Sequence, residues 1–315
     1  MMEGTHLTGL EGTNPLGFVA ALGVQVLFVE EDQQPRLWWT DDVVPHAVVD
    51  DNFTVDRIIT QALRVFPEWR CSPALSPGFG GKVADDVKFE PADIRRYLKC
   101  ALSGEPGSSL PPALVAEGSL DSSKGEVAKP SDLYFTAGQQ RFLKIAREIL
   151  DGVTREDLIE GLTGPWKYSS KLKSLMWDVT DDRNYALSAA DPTDATLNPK
   201  CTNPGPEALA VLGLSRLPVF AGRDGTLTSG CAGPWRRGGT YTWPLWSQPA
   251  LRGSADCLLA HATVGHDDPR FDYRRKWYWS WSVSRIMTAT IRRSDQGGYG
   301  TFGPPTIIWS AKESR

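Results

Sequence analysis

The sequence predicts an α+β protein, with helices in the N-terminal two thirds and a mixed, mostly antiparallel, β-rich C-terminal third. Up to about residue 214, apolar residues recur mainly at helical spacing. Beyond that point, segments alternate in polarity or are rich in β-branched and aromatic residues, which is typical of strands. The 30 glycines and 23 prolines indicate many turns rather than a bundle of long helices.

Residues 1–102 are predicted to form an N-terminal α/β region. Thr13 or Asn14 is suited to cap a helix whose first residue is Pro15. The apolar residues 24–29 fit either the end of this helix or a following strand. A short strand and two further helices are expected at 36–40, at 54–66 and from Pro91 to Leu98.

The next two regions differ sharply in composition. Residues 103–132 are rich in glycine, proline and serine and have no periodicity, so we expect a long exposed or disordered loop. Residues 133–200 are predicted to be helical, with helices at 138–150 and 154–162. Thr154 and Asp157 at the start of the second helix resemble a capping box.

Residues 201–315 are predicted to form a β-rich basic region. Its expected strands are 215–220, 240–246 and 277–284. In the last strand, strict alternation would put Trp277, Trp279, Trp281 and Val283 on one face. This face fits the core, because three tryptophans in solvent would form an unfavourable patch. The alternative is an exposed surface on which bases stack.

A short pattern occurs twice in the chain. TNPLGFVAALGV (13–24) and TNPGPEALAVLGL (202–214) both place Thr-Asn-Pro before a helix of small residues that ends in Leu-Gly. A structural duplication is one interpretation. The other is that both segments use a common way of beginning a helix.

Composition excludes several classes of protein. Hydrophobic residues make up 41% and charged residues 23% of the 315, as in packed globular proteins. There is no apolar run long enough for a membrane span, and Glu3 precedes any lysine or arginine, unlike a secretory signal. The five cysteines are odd in number and contain no CxxC. We therefore expect a cytoplasmic protein with no disulfide framework, no metal, no cofactor and no membrane partner.

The net charge of −4 hides a strong asymmetry. Residues 231–315 contain 12 lysines and arginines against 6 aspartates and glutamates, whereas residues 1–230 contain 22 against 32. The same C-terminal residues hold 13 of the 31 aromatic side chains. A cationic, aromatic-rich third on an acidic body indicates a surface for nucleic acid.

The predicted nucleic-acid contacts are basic residues beside aromatic ones. Arginine and lysine neutralise phosphates, and exposed rings stack on bases. Lys171 and Lys173 fit a solvated helix face equally well. The complete set is Lys171, Lys173, Arg236, Arg237, Arg274, Arg275, Lys276, Arg292 and Arg293.

Catalytic patterns are weak by comparison. HATVGHDD contains His261, His266, Asp267 and Asp268, but its five-residue histidine spacing does not bring both rings to one helix face. PGFGGK (77–82) lacks the spacing and the Ser or Thr of a phosphate-binding P-loop. Acidic pairs at 41–42, 85–86 and 181–182 are ordinary on surface turns. No catalytic residue is assigned, and the chain is not expected to be an enzyme.

Three segments carry a resemblance to a known family. These are LTGLEGTNPLGFVAALGVQVLF (7–28) followed by RLWW (36–39), MWDVTDDRNYALSAADPT (176–193) and EALAVLGLSRLPVF (207–220). In this order they resemble the CRISPR-associated large-subunit proteins of type I-G (formerly I-U) systems. All three are packing patterns rather than catalytic ones.

The resemblance implies a non-enzymatic subunit of an RNA-guided interference (Cascade-type) complex. Its implied partners are the backbone subunits, the guide RNA, target double-stranded DNA near the protospacer-adjacent motif, and a separate helicase-nuclease recruited by the complex. Two alternatives remain. One is a metal-dependent nuclease of an antiviral defence system, using His261, His266 and Asp267 with other carboxylates. The other is a protein-only scaffold whose arginines pair with acidic neighbouring subunits.

Overall fold

The computed structural model describes residues 3–121, 125–136, 139–179, 202–222, 225–233, 239–262, 270–293 and 299–312. These residues form an α+β fold with a β-rich C-terminal region, which confirms the predicted class. None of the described helices is long and apolar enough to cross a lipid bilayer. The described helices are α1 (Pro15–Val26), α2 (Val55–Cys71), α3 (Pro91–Lys99), α4 (Pro111–Leu114), α5 (Phe142–Gly152), α6 (Arg155–Thr163), α7 (Pro204–Leu214), α8 (Arg252–Ala262) and α9 (Arg270–Tyr278).

The strands pair antiparallel throughout the described residues. A three-stranded sheet has the order β1–β3–β2, and a larger sheet has the order β10–β11–β12–β13, with β14 also paired to β12. The pairs β4–β5, β6–β7 and β8–β9 form separate two-stranded sheets. The strands are β1 (Thr5–Glu11), β2 (Leu37–Trp39), β3 (His46–Val49), β4 (Gly78–Phe79), β5 (Lys82–Val83), β6 (Leu120–Asp121), β7 (Val127–Ala128), β8 (Val219–Gly222), β9 (Gly225–Thr228), β10 (Cys231–Ala232), β11 (Gly239–Trp246), β12 (Val283–Arg293), β13 (Gly300–Phe302) and β14 (Thr306–Ser310).

The two helices of the repeated Thr-Asn-Pro pattern pack directly against each other. Every residue of α1 and of α7 is buried. A Cβ on Gly23 would lie 1.9 Å from the carbonyl oxygen of Leu209, and a Cβ on Gly213 would lie 1.9 Å from that of Val19. Each glycine therefore admits the backbone of the other helix, and the contact is reciprocal.

Polar groups fix the N-terminal ends of both helices. The Asn14 side chain accepts a hydrogen bond from the Leu16 amide at 2.9 Å and donates one to Asp178 at 2.7 Å. The fully buried Glu207, in the first turn of α7, accepts from the Leu175 amide at 2.8 Å. The segment around residues 174–178 thus connects the starts of α1 and α7.

Aromatic side chains join the two larger sheets. The Trp243 indole of β11 donates to the carbonyl of Gly12 at 2.8 Å, and the Trp246 indole donates to that of Leu37 at 2.6 Å. Phe18 of α1 lies between them, with ring centroids 6.1 Å from Trp243 and 6.3 Å from Trp246. One buried core includes residues from all four regions that were predicted from the sequence.

A buried arginine closes the other end of α1. Arg216 donates to Gln25 of α1 at 2.8 Å, to Asp256 of α8 at 2.6 Å and to the carbonyl of Arg252 at 2.9 Å. Burial lowers the pKa of Arg216, and the carboxylate of Asp256 opposes this shift. The Gln25 amide donates in turn to the carbonyl of Ala250 at 2.9 Å. This network ties α8 to the central helix pair.

Several element boundaries differ from those predicted. Helix α1 ends at Val26, so the apolar run continues the helix instead of forming a strand. Helix α2 continues through Pro67 because Trp69 beyond it is buried, and α5 begins only at Phe142. The strand predicted at 215–220 begins at Val219, since the preceding residues form a turn.

The prediction that residues 103–132 form an exposed loop is wrong. Leu110, Leu114, Val115 and Ala128 in this segment are each at most 1% exposed. The segment contains α4 and the β6–β7 pair and belongs to the main core. Its few apolar residues lack periodicity, yet they pack against distant parts of the chain, which local composition does not reveal.

The helix contact predicts a large effect of a single methyl group. Gly23→Ala or Gly213→Ala should lower the free energy of unfolding by about 3 kcal/mol, because the new Cβ overlaps a backbone oxygen that cannot rotate away. Urea denaturation followed by circular dichroism measures the change. Gly253→Ala in α8 is the matched control, since nothing lies within 4 Å of its added Cβ. Equal stability of the Gly23 variant and its control would refute the close contact.

Two histidines link β1 to β3. The Nδ1 atom of His6 lies 3.0 Å from the Nε2 atom of His46, so one ring donates and the other accepts. On its other side, His46 lies 3.4 Å from the Thr40 hydroxyl and 3.9 Å from the Asp42 carboxylate. Burial, followed by the neighbouring His6, lowers the pKa of His46, and Asp42 opposes this shift.

Acidification should therefore destabilise the fold through His46. The unfolded chain binds a proton there below about pH 6.5, whereas the folded chain resists protonation until a lower pH. The stabilising contribution is complete above the unfolded pKa and is lost as the pH falls through the folded pKa. Urea midpoints between about pH 7.5 and 5.5 measure this loss. His46→Gln should flatten the profile; an unchanged profile would exclude His46 as its source.

Candidate nucleic-acid interface

Helix α9 contains the predicted basic cluster 274–276, and Tyr278 is its main contact with the rest of the fold. Tyr278 is 0% exposed and packs in a small second core with Val283, Ile286 and Trp309. Its ring centroid lies 5.2 Å from that of Trp309 on β14. The last residue of α9 is thus an anchor that fixes how the preceding turn faces solvent.

The predicted strand 277–284 is wrong for its first six residues. Residues 277 and 278 end α9, residues 279–282 form a turn, and β12 begins only at Val283. Local hydrogen bonds stabilise this turn: the Ser280 hydroxyl donates to the Trp277 carbonyl at 2.8 Å, and the Ser282 amide donates to that of Trp279 at 3.0 Å. Serines that bond to nearby backbone favour such turns over strands.

The interpretation of the tryptophans as a core face is wrong for Trp277 and Trp279, whereas Val283 is buried and Trp281 packs against the second core. Trp277 is 47% exposed and Trp279 is 56% exposed, while the intervening Tyr278 is the buried residue. Tyr273, one turn earlier, is 65% exposed. In the part of the chain that the structure describes, four aromatic side chains are classed as exposed, and three of them lie within residues 273–279.

Cationic groups accompany these rings. Arg275 and Lys276 are exposed in the last turn of α9, where positive charge also suits the helix dipole. Arg274 is less exposed and donates to the carbonyl of His261 at 2.8 Å, which ties α9 to α8. We name Tyr273, Arg275, Lys276, Trp277 and Trp279 the α9 surface.

The other predicted contacts lie elsewhere. Lys171 and Lys173 are exposed beside α5, where Lys173 lies 3.3 Å from the carboxylate of Glu148. Arg292 is exposed on β12. Arg236 and Arg237 fall outside the described residues. The predicted set therefore does not form one continuous cluster over the residues that are described.

The prediction that Arg293 faces solvent or a partner is wrong, because its side chain packs within the fold. It donates to the carbonyls of Asp132 at 2.7 Å and Tyr134 at 3.2 Å, and its guanidinium lies 5.4 Å from the centroid of the Phe135 ring. Burial lowers the pKa of Arg293 to about 10, and Asp132 opposes the shift. Because β12 alternates, Arg292 points outward while Arg293 holds the chain at 132–135.

The residues considered for metal-dependent hydrolysis do not assemble within the described residues. No three His, Cys, Asp or Glu side chains among them form a metal-binding group. Asp85 accepts from Arg147 at 2.5 Å, and Asp86 accepts from the Tyr134 hydroxyl at 3.0 Å. His261 is exposed on α8, whereas residues 266–268 and the acidic pair 181–182 lie outside the described part.

The glycine-rich segment 77–82 forms a hairpin rather than a phosphate loop. Gly80 and Gly81 connect β4 to β5 with φ angles of 56° and 78°. Two successive positive φ angles are typical of a tight type I′ turn, which glycine adopts without strain. No helix follows directly to supply the N-terminus that a phosphate cradle uses.

Sequence analysis predicted the basic part of the α9 surface, but it favoured burial of the tryptophans and did not single out Tyr273. The available signal was the i, i+4 spacing of Tyr273 and Trp277 across three cations, which fits one helix face. The alternation of WYWSWSVS indicated a strand instead.

No family model matches the chain, and no curated protein matches it.

The two adjacent arginines of β12 should respond differently to truncation. Arg293→Ala should lower the free energy of unfolding by about 2 kcal/mol, because it leaves two backbone carbonyls without their charged donor. Arg292→Ala should change it by less than about 0.5 kcal/mol, as for an exposed side chain. Urea denaturation of both variants tests this difference. Equal effects would show that Arg293 is not a structural residue.

Proposed function

We propose that this protein is a cytoplasmic, non-enzymatic subunit of an RNA-guided CRISPR interference complex and that the α9 surface contacts nucleic acid. The observation that carries the proposal is the combination of two exposed cations with three exposed rings, two on the docked helix α9 and one in the turn that follows it. Cations attract phosphates, and rings add apolar contact with bases. An exposed aromatic cluster on a protein indicates a binding surface.

The family resemblance supports the same proposal. Its first segment contains α1 and its third contains α7 from Glu207 onward, and the two helices meet at Gly23 and Gly213. The described beginning of its second segment contacts the first segment through the hydrogen bond between Asp178 and Asn14. Segments far apart in sequence thus form one packing unit, as expected if they are the structural signature of a family.

The proposed partners divide between the two charged parts of the chain. The basic C-terminal third contacts target double-stranded DNA or guide RNA, and the acidic body contacts the backbone subunits of the complex. Strand cleavage belongs to a separate helicase-nuclease that the complex recruits. The subunit itself binds and positions, which requires neither a metal nor a cofactor.

A protein-only scaffold is the second candidate, and one observation favours it. Phe220 of β8 and Leu227 of β9 are directly paired across their hairpin, and each is 57% exposed. An exposed apolar pair of this kind suits contact with another protein. The scaffold and the nucleic-acid subunit differ in what the cations of α9 do.

The salt dependence of binding distinguishes these two functions. Replacing both cations, Arg275→Gln and Lys276→Gln, should weaken binding to target DNA or guide RNA and reduce the slope of log K against log salt by up to about two units. Each lost phosphate contact removes about one released counterion. Sequence preference should not change, because phosphate contacts carry no sequence information. Fluorescence anisotropy on the full chain and on the assembled complex measures both quantities.

The matched control replaces another pair of adjacent cations, Arg95→Gln and Arg96→Gln. These two exposed arginines lie in α3 and pair with Glu117 and Asp93. The control should retain affinity and slope. If the α9 variant also retains both, its cations do not contact nucleic acid. If that variant fails to assemble with partner subunits while residual binding keeps its slope, the scaffold function is favoured.

A further inference from the structure

The rings of the α9 surface indicate which form of nucleic acid it fits. Tyr273 and Trp277 are four residues apart on one helix, so their Cβ atoms lie about 5–6 Å from each other on the same face. Trp279 follows in the turn, whose backbone is fixed by the hydrogen bonds to Trp277 and Trp279 described above. The rings are therefore neighbours on a supported surface and not on a loose terminus.

The part of the fold that the structure describes leaves these rings partly exposed. Tyr278, directly between the two tryptophans, is 0% exposed, so this turn has access to a core. Trp277 and Trp279 nevertheless remain about half exposed. Indole rings in water are unfavourable, and a patch of three aromatic side chains marks a contact site.

Base pairing decides whether such rings can be used. In a duplex each base is stacked on both faces, and a protein meets phosphates, sugars and base edges. Cations alone serve that contact. In a single strand the faces of the bases are accessible, and aromatic side chains stack on them with little dependence on sequence. The α9 surface offers rings for the bases, and Lys276, three residues after Tyr273 on the helix, offers a cation beside them for the phosphates.

We propose that the α9 surface binds single-stranded nucleic acid by stacking unpaired bases on Tyr273, Trp277 and Trp279, with Arg275 and Lys276 contacting the flanking phosphates. This inference rests on the proposed function, because it presupposes that α9 contacts nucleic acid. It adds the class of ligand: an unpaired strand rather than a duplex. A protein partner that covers the same rings is the competing occupant.

Anisotropy titrations with two labelled probes test the inference on the full chain. One probe is an oligothymidylate of about 15 nucleotides, within the length that one single-strand-binding surface covers. The other is a mixed-sequence duplex of equal length. The chain should bind the single strand at least about tenfold more tightly. Trp277→Ala should weaken single-strand binding roughly 5- to 150-fold, as for the loss of one stacked base, and should leave duplex binding unchanged.

Three further measurements separate stacking from other causes. Trp277→Phe should restore most of the affinity, since phenylalanine keeps a ring face. Trp279→Ala provides a second variant should Trp277→Ala fold poorly, which far-ultraviolet circular dichroism detects. Leu102→Ala is the control, an exposed apolar side chain outside α9, and should bind like the unmodified chain. Oligothymidylate should quench indole fluorescence less in the Trp277→Ala variant than in the unmodified chain.

The outcomes distinguish failure of base stacking from failure of the proposed nucleic-acid contact. If both probes bind equally and neither tryptophan variant alters binding, while the Arg275 and Lys276 replacements do, α9 contacts nucleic acid but does not stack bases. If neither probe binds to the chain or to its assembled complex, both proposals fail. Loss of assembly in Trp277→Ala would then assign the rings to a protein partner.

Discussion

The contact of Gly23 with Gly213 is the constraint on which the rest of the structure depends. A side chain at either position would meet a backbone oxygen of the opposite helix, so α1 and α7 approach more closely than side-chain packing allows. The same device recurs beside them, where a Cβ on Gly205 of α7 would lie 2.2 Å from the carbonyl of Asp157 in α6. The two larger sheets, the tryptophan contacts that join them and the Arg216 network are arranged around this layer of closely packed helices.

Sequence analysis predicted the local features of this layer and not its long-range contact. Asn14, Pro15 and the Thr154–Asp157 capping box are signals contained within a few residues, and the structure confirms them. The repeated Thr-Asn-Pro pattern was visible, but nothing in either copy states that the two helices touch. That contact joins residues almost 200 positions apart and depends on the whole fold. The burial of residues 103–132 was missed for the same reason.

The candidate interface was predicted in part, and the errors have a physical cause. Basic clusters are visible in any sequence, but exposure depends on strand register, which places Arg292 outward and Arg293 against the carbonyls at 132 and 134. Alternation in WYWSWSVS matched a strand, yet the local serine hydrogen bonds and the anchoring of Tyr278 stabilise a helix end and a turn. Tertiary packing thereby buries Tyr278 and leaves Trp277 and Trp279 exposed, opposite to the predicted pattern.

The small core beneath α9 gives this surface its own stability. Tyr278, Val283, Ile286 and Trp309 form a cluster separate from the main core, and Leu258 of α8 packs against both. The free energy needed to open α9 locally is set by these few contacts, so it lies below that of global unfolding. A ligand that binds only the docked helix therefore raises the opening free energy and slows amide hydrogen exchange there. The order of α9 would thereby report whether the α9 surface is occupied.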